Sequence, residues 1–322
     1  MTYTSGGLIE ATDYNGFVST TSGANVNNVW STGTGDAGWG QTALGTVAST
    51  NTITATQWAT LVNTLTNMGG QTGTTITSRT APTAGQTIGI LSALNTDLTN
   101  ITANRLNAVA NGTQFTGWTG TNSKTGTTSG NPWSITFTNT VTFGSADAAR
   151  YFFNAGGRIR IDVSKTSSGA TGDPEWNDLA NTLCGDVFIT GGTATQTIAG
   201  TAYTGTTRIG GGGTPNILAT TTGWYDLTPG AAATIVYKQF ADTAPYTNNF
   251  IQHSIARNAG STTLTITTLW SASDGDPITG GTAASGATPG TAPCTIVTYF
   301  PPSSTFLSSA SWGTPTVAAT TV

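Results

Sequence analysis

Two hydrophobic periods divide the chain. Between Ile53 and Met68 the apolar residues Trp58, Leu61, Val62, Leu65 and Met68 recur at helical spacing, which predicts a helix with one apolar stripe. Thr54 can cap it, Gln57 can complete a capping box, Ile53 can staple onto Trp58, and Gly69 with Gly70 is the predicted stop. A second helix is predicted after the turn at Pro82 to Gly85, where Leu91, Leu94, Leu98 and Ile101 form another stripe. A core helix packed on the first fits this stripe. The alternative is a short seam between copies, with Trp58, Leu61, Leu65, Leu91, Leu94, Leu98 and Ile101 as assembly residues. A shorter helix opens at Thr12 and carries Tyr14, Phe17 and Val18, weakened by Gly16.

From about Trp118 the period becomes two. Trp133, Ile135, Phe137, Val141 and Phe143 share one parity and threonines the other, the pattern of a half-buried strand. Ile159, Ile161 and Val163 alternate likewise, and Asn154 to Gly157 before them predicts a hairpin turn. Further strands are predicted at Val187 to Thr190, Thr234 to Phe240, Asn249 to Ala256, Thr262 to Trp270 and Cys294 to Phe300. A helical turn at Asp173-Pro174, carrying Trp176, Leu179 and Leu183 and ended by Gly185, interrupts them. The expected fold is mainly β: an antiparallel β-sandwich over 118–322, preceded by a small helical region over 1–117. The boundary falls near Gly117, before a Gly, Ser, Thr and Asn-rich linker from Gly120 to Asn131.

Composition sharpens this picture. Of 322 residues only 7% are charged, against a usual value of about 25%, so uncharged hydroxyl and amide groups must solvate the surface. A net charge of -4 with nine Trp, eight Tyr and eleven Phe argues against disorder. Ten scattered basic residues cannot supply a run of phosphate contacts, so nucleic acid is not an expected partner. The first fifteen residues predict no secretory signal, and no apolar run approaches the roughly 20 residues of a membrane span. Cys184 and Cys294 read as buried free thiols, with one disulfide as the alternative.

The chemistry-bearing residues are few. Every Ser or Cys hydrolase hypothesis hangs on one imidazole, His253, which shares a strand face with Ile251, Ile255 and Arg257 and reads as structural. Structural zinc lacks ligands. Calcium could draw oxygens from Asp274 and Asp276, or from Asp173, Glu175 and Asp178, but turn and cap duty explains both groups, so no metal or cofactor is expected. A carboxylate pair could in principle hydrolyse a glycan, yet Asp173 and Glu175 already have a capping role. Gly33, Gly35 and Gly38 spell G-x-G-x-x-G, but no acidic residue occurs between Asp36 and Asp97 to serve a dinucleotide ribose. The match is compositional.

Two segments resemble a known group. Asp13-Tyr14-Asn15, Trp30, Gly33, Gly35 and the run Gly38 to Gln41, followed by the helix around Thr54, resemble virion structural proteins of tailed phages that infect cyanobacteria. The run Ala149 to Ile161 is similar to a hairpin element of the same group's tail-fibre-like and other structural proteins. The resemblance covers about a third of the chain. It implies a non-enzymatic virion protein, assembled in the bacterial host: an oligomeric fibre or whisker, with three-fold symmetry as the first expectation. Tyr151, Phe152, Phe153, Asn154, Gly156 and Gly157 then act as fold and assembly elements. The expected partners are further copies, other virion proteins and a host-surface glycan. The alternatives are a capsid-decorating cement protein and a glycan-binding module, for which Trp118 is the leading contact, ahead of Trp133, Trp224 and Trp312.

Overall fold

The computed structural model describes residues 10–19, 24–84, 91–116, 133–165, 173–272 and 293–321. The N-terminal region carries α1 (Ala11–Val18), α2 (Val26–Trp30), α3 (Ala55–Thr72) and α4 (Leu91–Ala103). The strands are β1 (Phe115–Thr116), β2 (Trp133–Thr142), β3 (Arg158–Lys165), β4 (Asp186–Ile189), β5 (Gln196–Ile198), β6 (Thr201–Tyr203) and β7 (Thr206–Ile209). They continue with β8 (Ile217–Leu218), β9 (Thr234–Phe240), β10 (Phe250–Arg257), β11 (Thr263–Ala272), β12 (Pro293–Phe300) and β13 (Thr316–Thr321). Helices α5 (Ala146–Asn154) and α6 (Asp173–Asp178) interrupt them, and α6 runs on into a π-helical stretch, Leu179–Cys184.

The fold is mainly β and its strand pairs are antiparallel, as the period-two segments predict. One sheet has the order β1-β12-β3-β4-β7, a second β13-β2-β11-β10-β9-β8, and β5 with β6 forms a small ribbon. Each long strand turns alternate residues inward: Ile135, Phe137 and Val141 on β2, Ile159, Ile161 and Val163 on β3, Leu264, Ile266 and Trp270 on β11. The π-helical stretch packs against β3 of one sheet and against β9 and β10 of the other, so it wedges the two layers.

Helix α3 begins as predicted. Thr54 accepts from the Gln57 backbone N–H at 3.3 Å, and the Gln57 side chain accepts from the Thr54 N–H at 2.8 Å. It does not stop at Gly69 and Gly70. The left-handed C-terminal residue is Gly73, with φ 70°, and the two earlier glycines are packing devices: a Cβ on Gly70 would lie 2.5 Å from the Phe306 ring. Trp58, Leu61 and Leu65 of α3 and Leu94, Leu98 and Ile101 of α4 are buried within the chain, which resolves their stripes as core rather than as a seam between copies. The side chain of Leu91 lies outside the described residues.

One apolar cluster runs from Ala11 through Trp58, Phe152 and Trp270 to Trp312, so the helical region and the sheets share a core across the division expected near Gly117. Gly117 itself and the predicted linker lie outside the described residues. Two asparagines splice the extended segment 41–47 onto the first helices. Asn27 donates to the Leu44 carbonyl and accepts from the Leu44 N–H, both at 2.8 Å, and Asn15 treats Val47 the same way at 2.7 and 2.8 Å. Each side-chain amide thus replaces one rung of a β-ladder. A buried pair, Arg79 and Asp97, ties the next segment to α4, with Asp97 also accepting from the Thr77 N–H at 3.1 Å.

Asn27 is buried and Asn15 is partly exposed. Asn27→Ala therefore strands a buried N–H and carbonyl of Leu44 and should cost about 2–4 kcal/mol. Asn15→Ala, where the side chain lost is itself partly exposed, should cost roughly half as much. Urea denaturation of both variants checks the order, and equal losses would contradict the splice.

Candidate functional site

The run expected to form a hairpin at Tyr151 to Gly157 is instead a helix, a turn and a strand. Ser145 caps α5 by accepting from the Ala148 N–H at 3.0 Å, and Asp147 sits in the first turn. Ala149, Phe152 and Phe153, spaced as one helical face, are completely buried. Phe152 and Phe153 meet edge to face at 5.1 Å, and Phe153 stacks on Trp224 at 5.3 Å. Gly156, with φ 97°, and Gly157 then make the turn into β3, so the two glycines keep their predicted role. The aromatics of the motif fill core, not intersubunit space.

The opposite face of α5 grips the glycine loop. Arg150 donates to the carbonyls of Ala37 at 2.8 Å and Thr32 at 2.7 Å. One turn later Asn154 donates to the carbonyls of Ala37 at 3.0 Å and Gly38 at 2.9 Å. Gly33, Gly35, Gly38 and Gly40 all have positive φ, which lets the loop turn its oxygens toward these donors. A phosphate-binding loop presents N–H groups; this one presents carbonyls. The G-x-G-x-x-G match is thereby explained without a nucleotide.

The same grip builds one wall of a cavity of about 270 Å³, lined by Asp36, Leu106, Gln196, Tyr225, Asp226 and the run Gly192, Thr193 and Ala194. The Tyr225 hydroxyl donates to Asn154 Oδ1 at 2.7 Å and contacts the Gly35 carbonyl at 3.1 Å. The turn carrying Tyr225 and Asp226 is stitched to the end of β4 by the Trp224 N–H to Thr190 and the Tyr225 N–H to Gly191, at 2.9 and 2.7 Å. Asp36 pairs with Arg105 at 2.6 Å, and Asp226 accepts from the Gly223 N–H at 2.8 Å. Leu106 and Gln196 are fixed together, because Ala108 exchanges backbone bonds with Thr197 and Ala199 at 3.0 and 2.9 Å. Gln196 is buried, and its Oε1 has no hydrogen-bond partner. A second, more open groove of about 480 Å³ lies between segment 42–46 and α3, lined mainly by threonines with Tyr14 and Trp30.

Neither His253 nor Cys184 stands in a catalytic arrangement. His253 is fully buried on β10, between Thr268, whose hydroxyl lies 2.9 Å from Nδ1, and Tyr237, whose ring stacks at 5.2 Å. Burial pushes its pKa down to about 3. Cys184 is a buried free thiol whose pKa burial pushes up to about 12, so it is no nucleophile and forms no disulfide. Among the described residues no cluster of His, Cys, Asp or Glu could hold a metal ion, and no helix is long and apolar enough to cross a membrane.

Of the stacking candidates, Trp224 and Trp312 are buried in the core and cannot present a face to a sugar. Trp118 lies outside the described residues, as do Asp274 and Asp276 and the side chains of Trp133, Asp173 and Cys294. Asp36, Gln196 and Asp226 carry no local sequence signal, since only the long-range contacts above bring them together. Comparison with family models, with curated proteins and with solved structures finds no match to this chain.

His253 gives stability a pH dependence. Its folded pKa lies below the unfolded value of about 6.5, so the unfolded chain takes up the proton first. Stability is full above about pH 6.5 and falls by roughly 1.4 kcal/mol per unit as pH drops toward 3. Denaturation at pH 7.5 and 5.5, above the carboxylate range, should show this loss, and His253→Phe should abolish it. A slope that survives the substitution would refute the assignment.

Proposed function

We propose that this chain is a non-enzymatic structural protein of a tailed-phage particle, an oligomeric fibre or whisker-like appendage with host-surface contact. The observation that carries the reading is the outer face of the six-stranded sheet. There Thr138 and Thr140 stand opposite Thr267 and Thr265, and Thr136 and Gln252 stand on either side of Leu269, with Ser254 beside Thr267. Lys238, over the rings of Phe240 and Phe250, is the one charge on this face among the described residues. Such a surface offers copies close approach with little like-charge repulsion and with stability only weakly sensitive to salt. Arg150 is committed to loop carbonyls, Arg79 to Asp97, and His253 to the core. Similarity to cyanophage virion proteins in the N-terminal segment and at Ala149 to Ile161 supplies the setting.

Quantifying the chain in purified particles tests the reading. An appendage requires a few to tens of copies per particle. Hundreds would favour a capsid-decorating protein, and absence from the particle would overturn both. Light scattering should return an oligomer, with a trimer expected. Thr267→Glu, at the centre of the neutral face, should shift the mass toward monomer while altering folding stability by no more than about 0.5 kcal/mol. A lone monomer that turns over a glycan would defeat the proposal.

A further inference from the structure

We infer that the cavity between the glycine loop and the Trp224–Asp226 turn is a binding site for a single neutral sugar ring. The inference rests on the host-contact part of the proposed function and gives that contact an address. Three features of the cavity select the ligand.

Its carboxylates and one buried amide oxygen are free acceptors. Gln196 Oε1 is buried and without a partner, a costly state for an amide oxygen unless a donor arrives. Asp36 uses Oδ2 on Arg105, and Asp226 uses Oδ2 on the Gly223 N–H, which leaves the Oδ1 atom of each carboxylate for a ligand. Of the two hydroxyls of the lining, that of Tyr225 already donates to Asn154, and that of Thr193 can accept from a ligand as well as donate to it. A ligand must therefore bring several donors.

Its charge is small. Arg105 neutralises Asp36, so the cavity holds about one negative charge, and hydroxyl donors suit it better than an ammonium group that needs a full counter-charge. Its remaining walls, Leu106 and the ring of Tyr225, are apolar and match the C–H face of a pyranose. The volume of about 270 Å³ lies just below the usual small-molecule range of about 300–1,000 Å³, which fits one ring rather than a chain.

The full-length protein is screened on an array of hexoses, deoxyhexoses, N-acetylhexosamines and short oligosaccharides, with putrescine as the amine probe, and the best binder is titrated by calorimetry. Saturable binding of a neutral saccharide is expected. Gln196→Leu should weaken it at least tenfold while leaving the thermal transition unchanged or higher, because it removes a buried unpaired oxygen. Asp226→Asn, which keeps an acceptor for Gly223, should weaken it several-fold and covers the case in which Gln196→Leu fails to fold. No saccharide binding by the wild type, binding of putrescine alone, or affinity unchanged in both variants would overturn the inference. None of these results would alter the copy number on the particle, so the virion reading stands or falls separately.

Discussion

The architecture depends on what the Asn154 side chain does with all of its hydrogen-bonding capacity. The residue is fully buried, so each donor and acceptor must be met inside the protein. Its amide N–H groups hold the carbonyls of Ala37 and Gly38, and its oxygen receives the Tyr225 hydroxyl. Three segments far apart in sequence are fixed by one side chain: the glycine loop, the end of α5 and the short turn after β8. On its other face the same helix inserts Phe152 and Phe153 between the sheets, so the polar grip and the core share one rigid support. The cavity inherits its shape from this arrangement, since Asp36 rides on the gripped loop and Tyr225 is the third partner.

Apart from the buried Arg79–Asp97 pair, the buried polar groups described here are met by backbone, amides and ring faces rather than by ion pairs. Arg158 is the extreme case. It is 1% exposed, and among the described residues no carboxylate pairs with it; it donates to the Gly156 carbonyl and to Asn111, and lies over the rings of Tyr203 and Phe300 at 4.6 and 5.2 Å. Its pKa is lowered by burial, because the charged form has lost hydration. Asn15 and Asn27 follow the same logic with neutral amides. Such bonds are directional and lose little in salt, whereas surface ion pairs are weak and screened.

The long strands β2, β3 and β9 to β12, and β4, were legible because half-burial imposes a period of two, whereas β1, β5 to β8 and β13 were not predicted. The α3 capping box was legible because it is local. The α5 helix was not. Its aromatics adjoin a double glycine, which reads as a turn, while the signals that favour a helix were weaker: Ser145 as a cap, Asp147 in the first turn, and Ala146, Ala148 and Ala149. Gly69 and Gly70 misled for a related reason. A glycine pair can end a helix or admit a neighbour, and only the position of the Phe306 ring decides which. The site itself was beyond reach, because Asp36, Gln196 and Asp226 belong to different segments and meet through contacts that no local pattern encodes.

The glycine loop shows how one motif can be read with opposite polarity. Glycines at positive φ can turn either the N–H or the C=O groups of a loop toward a common point, and the spacing alone does not choose between them. Here the choice is set by what faces the loop. A guanidinium at position 150 and an amide at 154, one helical turn apart, provide a donor-rich surface, and a loop of oxygens is its complement. Had α5 offered acceptors, the same glycines could have formed an anion nest. The loop also shapes the cavity beside it: Asp36 is carried in by the gripped segment, and its free oxygen, that of Asp226 and the buried Gln196 oxygen suit a ligand rich in hydroxyl groups.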